Sequence, residues 1–404
     1  MKKIIFTLLI IHFSILIANA QWVQMSNGMG TNKPVWSLAV SGDTIFAGTN
    51  YPYGVYRSTN GGLNWTQTSL INQSGNVLLI NGNIIYAGTN QGVFKSTNNG
   101  QNWAQIGISN RSVWALTILG NNIFAGTDFG HGVYRSTNNG LNWTQTSLGD
   151  INFIYSLITI GNNIFAGDGA SSSVFLTSDT GNTWTQISLG GTPTEVVFCL
   201  AVKGNFMFAG VDNGGVFRSS NGGFNWTQTS LNMGGVTSFA IKDNYIFASD
   251  FLNFGGVFLS SNNGTSWILK NQGLGNQIDV WSLTTTSQYI FAGTDSGVWR
   301  RSFTEIIGIK KISELVPSSY SLSQNYPNPF NPKTKIKMEI AKLGNVELIV
   351  YDILGREIVK LVNEKLKPGT YEATFDGSNY PSGVYFYKLT TNDFSNVKKM
   401  ILIK

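Results

Sequence analysis

Ser58-Thr59-Asn60-Gly61-Gly62-Leu63-Asn64-Trp65 is one of six copies of a single short pattern, Ser/Thr-x-Asn/Asp-x-Gly-x-x-Trp. The other copies begin at Ser96, Ser136, Thr177, Ser219 and Ser260, and the six end at Trp65, Trp103, Trp143, Trp184, Trp226 and Trp267. Successive tryptophans lie 38, 40, 41, 42 and 41 residues apart. A period of about 40 residues marks stacked supersecondary units, each too small to bury its own apolar face.

Around this stretch, residues 35–40, 44–49, 54–58 and 64–68 are short runs rich in β-branched and aromatic residues, separated by Gly, Asn, Asp or Ser. Such runs read as strands between turns, and four short antiparallel strands per unit make a propeller blade. In the repeat turn the side-chain oxygen of Asn60, Asn98, Asn138, Asp179, Asn221 or Asn262 can accept from nearby backbone amides, while Gly supplies a positive φ. The tryptophan that follows is expected to pack between neighbouring blades.

The second strand of each unit, Ile/Met-Phe/Tyr-Ala-Gly/Ser, begins at Ile45, Ile85, Ile123, Ile164, Met207, Ile246 and Ile290, which gives seven units. The seventh lacks a Trp-x-Gln strand of its own. Trp22-Val23-Gln24 lies 43 residues before Trp65, in register to supply it. The reading is an all-β chain with a seven-bladed propeller over residues 21–303, clasped by its N-terminal strand so that no sheet edge stays open. The repeat turn resembles the Asp-box, or BNR repeat, of sialidases, sortilin-type receptors, xyloglucan-degrading enzymes and a photosystem assembly factor. Asn stands in for Asp in five of the six copies and keeps the same turn chemistry.

Residues 1–20 have the layout of a secretory signal peptide: Lys2 and Lys3, an apolar stretch over 4–17, then Ala18-Asn19-Ala20. The apolar run is short for a membrane span, and no other segment qualifies as transmembrane. After Ser302 the period stops and lysine becomes frequent. Residues 304–319 read as a linker and 320–404 as a small Ig-like β-sandwich of alternating strands.

The landmarks of that last segment are Tyr326-Pro327-Asn328-Pro329-Phe330-Asn331-Pro332, then Tyr351-Asp352-Ile353-Leu354-Gly355-Arg356, Gly383-Val384-Tyr385, and the terminal Lys398-Lys399-Met400-Ile401-Leu402-Ile403-Lys404. In this order they resemble the C-terminal type A sorting domain of the type IX secretion system. The resemblance implies export to the outer surface or the medium, with the secretion machinery as a partner of this domain.

Charge excludes one class of partner. Residues 21–304 carry eleven basic and eleven acidic side chains, so the repeat region is neutral and has no basic stripe for nucleic acid. The single cysteine rules out a disulfide scaffold. No His/Cys cluster has metal-ligand spacing, and neither a metal nor a cofactor is expected. His131 is the one histidine after residue 20, and no nucleophile motif points to it.

A sialidase would need an arginine triad and an acidic pair. Arg57, Arg135, Arg218 and Arg300 instead share one repeat position, which marks them as scaffold, and Glu195 is the only glutamate between Gln21 and Thr304. Cys199 falls in a slot held elsewhere by Ser37, Val77, Ala115, Ser156, Ser238 and Ser282, which favours a structural thiol.

Candidate function lies where the repeat varies. The loops after each second strand share a face with the connections between units, and they carry Asn50, Asn90, Asp128, Asp168, Asp212, Asp250 and Asp295. On the same face the start of the inner strand carries Trp36, Trp114, Tyr155, Phe198 and Trp281 in five of the units. Aromatic faces beside carboxylates and amides suit a sugar-binding surface, by stacking and by accepting hydroxyl hydrogens. The plainer reading is that the acids cap turns and the aromatics pack between blades. A ring of aspartates could also hold Ca²⁺, which spacing across separate units does not establish.

The leading expectation is a non-catalytic, exported propeller binding a glycan or protein through Trp36, Trp114, Tyr155, Trp281, Asp128, Asp212, Asp250 and Asp295. The runner-up is a polysaccharide hydrolase using two of the loop aspartates. A third reading, an assembly chaperone, sits poorly with the export signals.

Overall fold

The computed structural model describes residues 21–404 apart from 31, 129, 150–152, 193–194, 252–254, 276–277, 314 and 379. The expected signal peptide, the loop residue Phe129 and the loop residues Leu252, Asn253 and Phe254 therefore lie outside the described residues.

The repeat region forms seven four-stranded antiparallel sheets, and two more make up the C-terminal part. In the first sheet the order is Val35–Ser41, Thr44–Thr49, Val55–Ser58, Thr66–Gln67. Its second strand is buried throughout, with Ile45, Phe46 and Ala47 fully enclosed. The inner strands neighbour one another in sequence order, and the first sheet's inner strand also neighbours the last sheet's, Val280–Thr285, so the row of sheets returns on itself. In that last sheet the outer strand is Val23–Gln24, paired antiparallel with Gly297–Ser302.

Small residues let adjacent sheets approach. A Cβ on Gly48 would lie 2.2 Å from Ser37 Oγ and 2.3 Å from the Gly75 carbonyl oxygen of the next sheet. Polar side chains bridge the same gap. Ser37 Oγ donates to the Gly75 carbonyl, Asn76 Nδ2 to Val113, Cys199 Sγ to Val236, Thr237 Oγ1 to Val280 and Ser282 Oγ to Val35. Cys199 belongs to this set, and desolvation pushes its thiol pKa far above the ordinary range, so it is a poor nucleophile.

The repeat turn is built as its residues suggest. Ser58 Oγ accepts from Gly62 N at 3.0 Å, and Asn60 Oδ1 accepts from both Ser58 Oγ and Asn64 N at 3.0 Å. The same bonds recur at Ser96/Asn98, Ser136/Asn138, Thr177/Asp179, Ser219/Asn221 and Ser260/Asn262. Trp65 is buried against Phe291 and Val298 of the preceding sheet, and Trp103, Trp143, Trp184, Trp226 and Trp267 are each half-buried against the sheet before their own. The repeat arginines reach forward: Arg57, Arg135, Arg218 and Arg300 donate to the backbone oxygens of Asn99, Thr180, Asn263 and Gly61, each in the next sheet's turn.

The first part of the stretch read as a linker, 304–313, is regular structure. A short helix, Phe303–Ile306, leads to the strand Ile309–Ser313, which pairs with Gly369–Asp376 of the C-terminal part. The reason is apolar content: Phe303, Ile306, Ile307 and Ile309 are all buried, in one core with Trp22, Tyr245 and Phe247 on one side and Ile336, Leu348 and Tyr387 on the other. The two C-terminal sheets, one containing Lys333–Ile340 and the other Gly344–Tyr351, share that core as a sandwich.

Candidate functional site

On the varied face, the aromatic near the start of five inner strands is the extra residue of a β-bulge. The register slips between Val35 and Ser37, Val113 and Ala115, Ile154 and Ser156, Val197 and Cys199, and Val280 and Ser282, leaving Trp36, Trp114, Tyr155, Phe198 and Trp281 unpaired. A bulge re-aims the side chain it carries. Here the rings meet one another. Ring centroids are 6.0 Å apart for Trp36–Trp114, 5.7 Å for Trp114–Tyr155 and 5.4 Å for Tyr155–Phe198. The series continues through Phe251, 5.5 Å from Phe198 and 4.8 Å from Trp281.

Six half-buried aromatics thus form one continuous arc across the middle of the face. The second and sixth sheets give the arc no ring from the bulge place, because Asn76 and Thr237 occupy it and carry the bridge to the next sheet. In the sixth sheet Ser249 stands where most others have glycine, and its Oγ accepts from Thr237 N and Ser238 N. The bulge position is thereby bound down, and Phe251 from the following loop fills the arc instead.

The loop acids separate into two registers, which corrects their reading as one equivalent ring. Asp168 and Asp250 hold the last position of their strands, which Thr49, Thr89, Thr127 and Thr294 hold elsewhere. Both are buried, at 3% and 1% exposure, so Asp250 is not an open contact on the face. Asp250 Oδ1 accepts from Gly235 N at 3.0 Å, and Asp168 Oδ2 accepts from the Ser171 hydroxyl. Desolvation raises the Asp168 pKa against those hydrogen bonds. The other register places Asp128, Asp212 and Asp295 one residue further out. Asp128 Oδ2 accepts from Ser112 N at 3.2 Å, a turn-capping role. Asp212 is raised by desolvation, with the Glu195 charge adding to it.

Asp295 is exposed and accepts from Trp281 Nε1 at 2.6 Å. Its carboxyl also hydrogen-bonds that of Asp279, whose pKa is pushed up to about 6 by desolvation, then by the charge and hydrogen bond of Asp295 and the charge of Asp250. Neither Asp279 nor Phe251 was singled out from sequence. Asp279 could have been found, since it lies two residues before Trp281 on a connection that shares this face. The structure therefore brings Trp36, Trp114, Tyr155 and Trp281 into one arc, sets Asp295 against it, and leaves Asp128 as a cap. Among the described residues no group of three His, Cys, Asp or Glu side chains is placed to hold a metal ion.

In the C-terminal part, Asp352 Oδ1 accepts from Leu354 N and Arg356 N at 2.9 Å, Oδ2 meets Arg356 Nε at 2.6 Å, and Gly355 takes φ +76°. This fixes an exposed hairpin tip carrying Ile353 and Leu354. The Pro327 carbonyl accepts from Asn325 Nδ2 and Thr334 Oγ1, and Pro329 is exposed beside it. Tyr385 OH donates to the Pro381 carbonyl at 2.7 Å, in the strand beginning at Gly383. Lys398 and Lys399 lie on the last strand, Ser395–Leu402.

Residues 324–404 match the secretion system C-terminal sorting domain. The protein is exported. That domain is a type IX secretion signal, which sends the chain to the cell surface or the extracellular space and implies contact with the secretion machinery. Among the described residues no helix is long and apolar enough to cross a membrane. No curated protein matches the chain.

Many solved structures share its fold, among them the following three at low identity. PorZ, a surface component of the type IX secretion system of Porphyromonas gingivalis, aligns at 15% identity and TM-score 0.56 over 92% of this chain and 59% of its own. YCF48 from Cyanidioschyzon merolae aligns at 15% identity and TM-score 0.54 over 71% and 99%. The Niastella koreensis GH74 enzyme aligns at 14% identity and TM-score 0.55 over 93% and 67%. At such identities the likeness speaks to the propeller-like fold alone.

Proposed function

We propose that this chain is a non-catalytic, seven-bladed Asp-box propeller with an Ig-like sorting sandwich, exported through the type IX system to bind a glycan or protein. The observation that carries the reading is the arc from Trp36 to Trp281: five aromatics gathered on one face by repeated bulges and a sixth, Phe251, supplied by a loop, packed on each other yet half open to solvent.

The competing hydrolase would draw on paired aspartates. The pair in contact at this face, Asp279 and Asp295, is hydrogen-bonded. That is closer than the separation of about 5 Å a retaining pair uses, and far closer than an inverting pair requires. The test is a glycan array probed with the chain from Gln21 onward, followed by a reducing-sugar assay on every hit. Binding without sugar release, lost in Trp114→Ala and Trp281→Ala variants that keep their melting temperature, supports the reading. Sugar release would replace it with the hydrolase, and parallel loss of binding and fold would return the aromatics to packing.

A further inference from the structure

The two ends of the aromatic arc differ in chemistry. At the Trp36–Trp114 end, Asn76 is 8% exposed and occupies the bulge position of its sheet. Its Nδ2 bridges to the Val113 carbonyl at 3.1 Å, while its Oδ1 has no hydrogen-bond partner. At the Trp281 end, Asp295 Oδ1 accepts from Trp281 Nε1 at 2.6 Å, which fixes its carboxyl on the arc, and that carboxyl is hydrogen-bonded to Asp279 with the Asp250 charge close by. No described salt bridge joins Asp279 or Asp295 to a base; the described salt bridges all lie in the sorting domain. One end thus holds a buried acceptor without a donor and the other a carboxyl pair without a described salt bridge to a base, and between them stand π-faces whose quadrupoles attract positive charge.

We infer that the arc binds a cationic saccharide, an oligomer of amino sugars whose ring faces lie along the aromatics and whose protonated amines meet Asp279 and Asp295. This deepens the binding reading above and rests on it. An ammonium beside the carboxyl pair replaces the shared proton as the charge that relieves their repulsion. It also donates up to three hydrogens to a site made of acceptors. An acidic sugar would bring a third like charge to the pair. A neutral one would satisfy the rings and leave the carboxyls as they are. Adjoining aromatics from six sheets suit a ligand of repeating flat-faced units better than one inserted side chain.

The experiment is calorimetric titration of the full chain from Gln21 at low salt with three hexasaccharides: glucosamine, N-acetylglucosamine and galacturonate. The expected result is binding of the glucosamine hexamer, at least about tenfold weaker binding of its N-acetylated form, and none of the galacturonate. Added salt should weaken the glucosamine complex, because screening acts on exposed charge pairs. An Asp279→Asn/Asp295→Asn variant that melts no lower than the unmodified chain should bind the glucosamine and N-acetylglucosamine forms alike. Equal affinity of the unmodified chain for both forms overturns the charge inference while leaving glycan binding intact. Binding of oligolysine without binding of any saccharide overturns the saccharide class. Absence of all binding overturns this inference together with the reading beneath it.

Discussion

The indole Nε1 of Trp22 donates to the Lys270 carbonyl oxygen at 2.8 Å, joining residues 248 positions apart. Trp22 N also reaches the Gln272 carbonyl at 2.8 Å, and Arg301 Nη1 donates to Lys270 O and Gln272 Oε1 at 3.0 Å. The short segment Lys270–Gln272 therefore ties the N-terminal strand, the last repeat strand and the sixth sheet together. Trp22 is 1% exposed, in the same core as the helix that leads to the sorting domain.

Truncating that ring should open the seam. Trp22→Ala is expected to cost about 3–5 kcal/mol, as for other buried aromatics. Thermal denaturation should show a clear fall in melting temperature, whereas Val23→Ala, at an exposed position, should leave it nearly unchanged. Equal melting of Trp22→Ala and the unmodified chain would mean that the ring closes without this strand.

The carboxyl pair makes stability depend on pH in a direction opposite to that of most acids. Asp279 has a folded pKa of about 6, above the ordinary value of 3.8. Between these values the folded state holds more protons than the unfolded one, so this group's contribution falls as pH rises from about 4 to about 6. Asp279→Asn should remove that fall, raising the melting temperature at neutral pH more than at acidic pH. Comparing the two proteins across the window isolates the pair from Asp179, which is lowered to about 2 by its hydrogen bonds with Thr183 and Thr177.

In the repeat turn the oxygen matters and its charge does not. Asn60 Oδ1 accepts two hydrogen bonds, as Asp179 Oδ1 does in its own copy. Asn60→Asp should therefore melt like the original, while Asn60→Ala should lose about 1 kcal/mol. Chemical denaturation of the three proteins measures the difference.

The sorting domain and the repeat region should unfold together. Phe303 lies 5.7 Å from Tyr245 and 6.1 Å from Phe247, ring to ring, and Asn244 Nδ2 donates to the Asn363 carbonyl at 2.8 Å. Calorimetry should give one transition for the full chain and two for Phe303→Asp, which places a charge in the shared core.

What could be read from the chain was whatever repeats. The strand order, the Asx turns and the completing role of Trp22-Val23-Gln24 each follow from register alone, because each depends on a local pattern recurring at a fixed interval. The bulge was hidden. Nothing in Val35-Trp36-Ser37 distinguishes an added residue from an ordinary strand position until its partner Gly48 is placed opposite Ser37. The acids were misaligned for a related reason: Asp168 and Asp128 look alike in their loops, and only pairing with Ile154 shows that Asp168 still belongs to the strand. The helix and strand inside the stretch read as a linker were missed because residues 303–309 belong to no repeat, and their apolar character acquires meaning only against Tyr245 and Phe247.

The two-residue strand Val23–Gln24 runs antiparallel to Gly297–Ser302, with Val23 opposite Arg300 and Gln24 opposite Trp299. Its leading end thus lies beside the trailing end of its partner, where the chain leaves for the sorting domain. Tension between Gln21 and Phe303 would load this junction as a zipper, one bond at a time, rather than in shear across all of them. On a protein exported by way of its tail, the buried indole of Trp22 is then the catch that keeps the zipper from running.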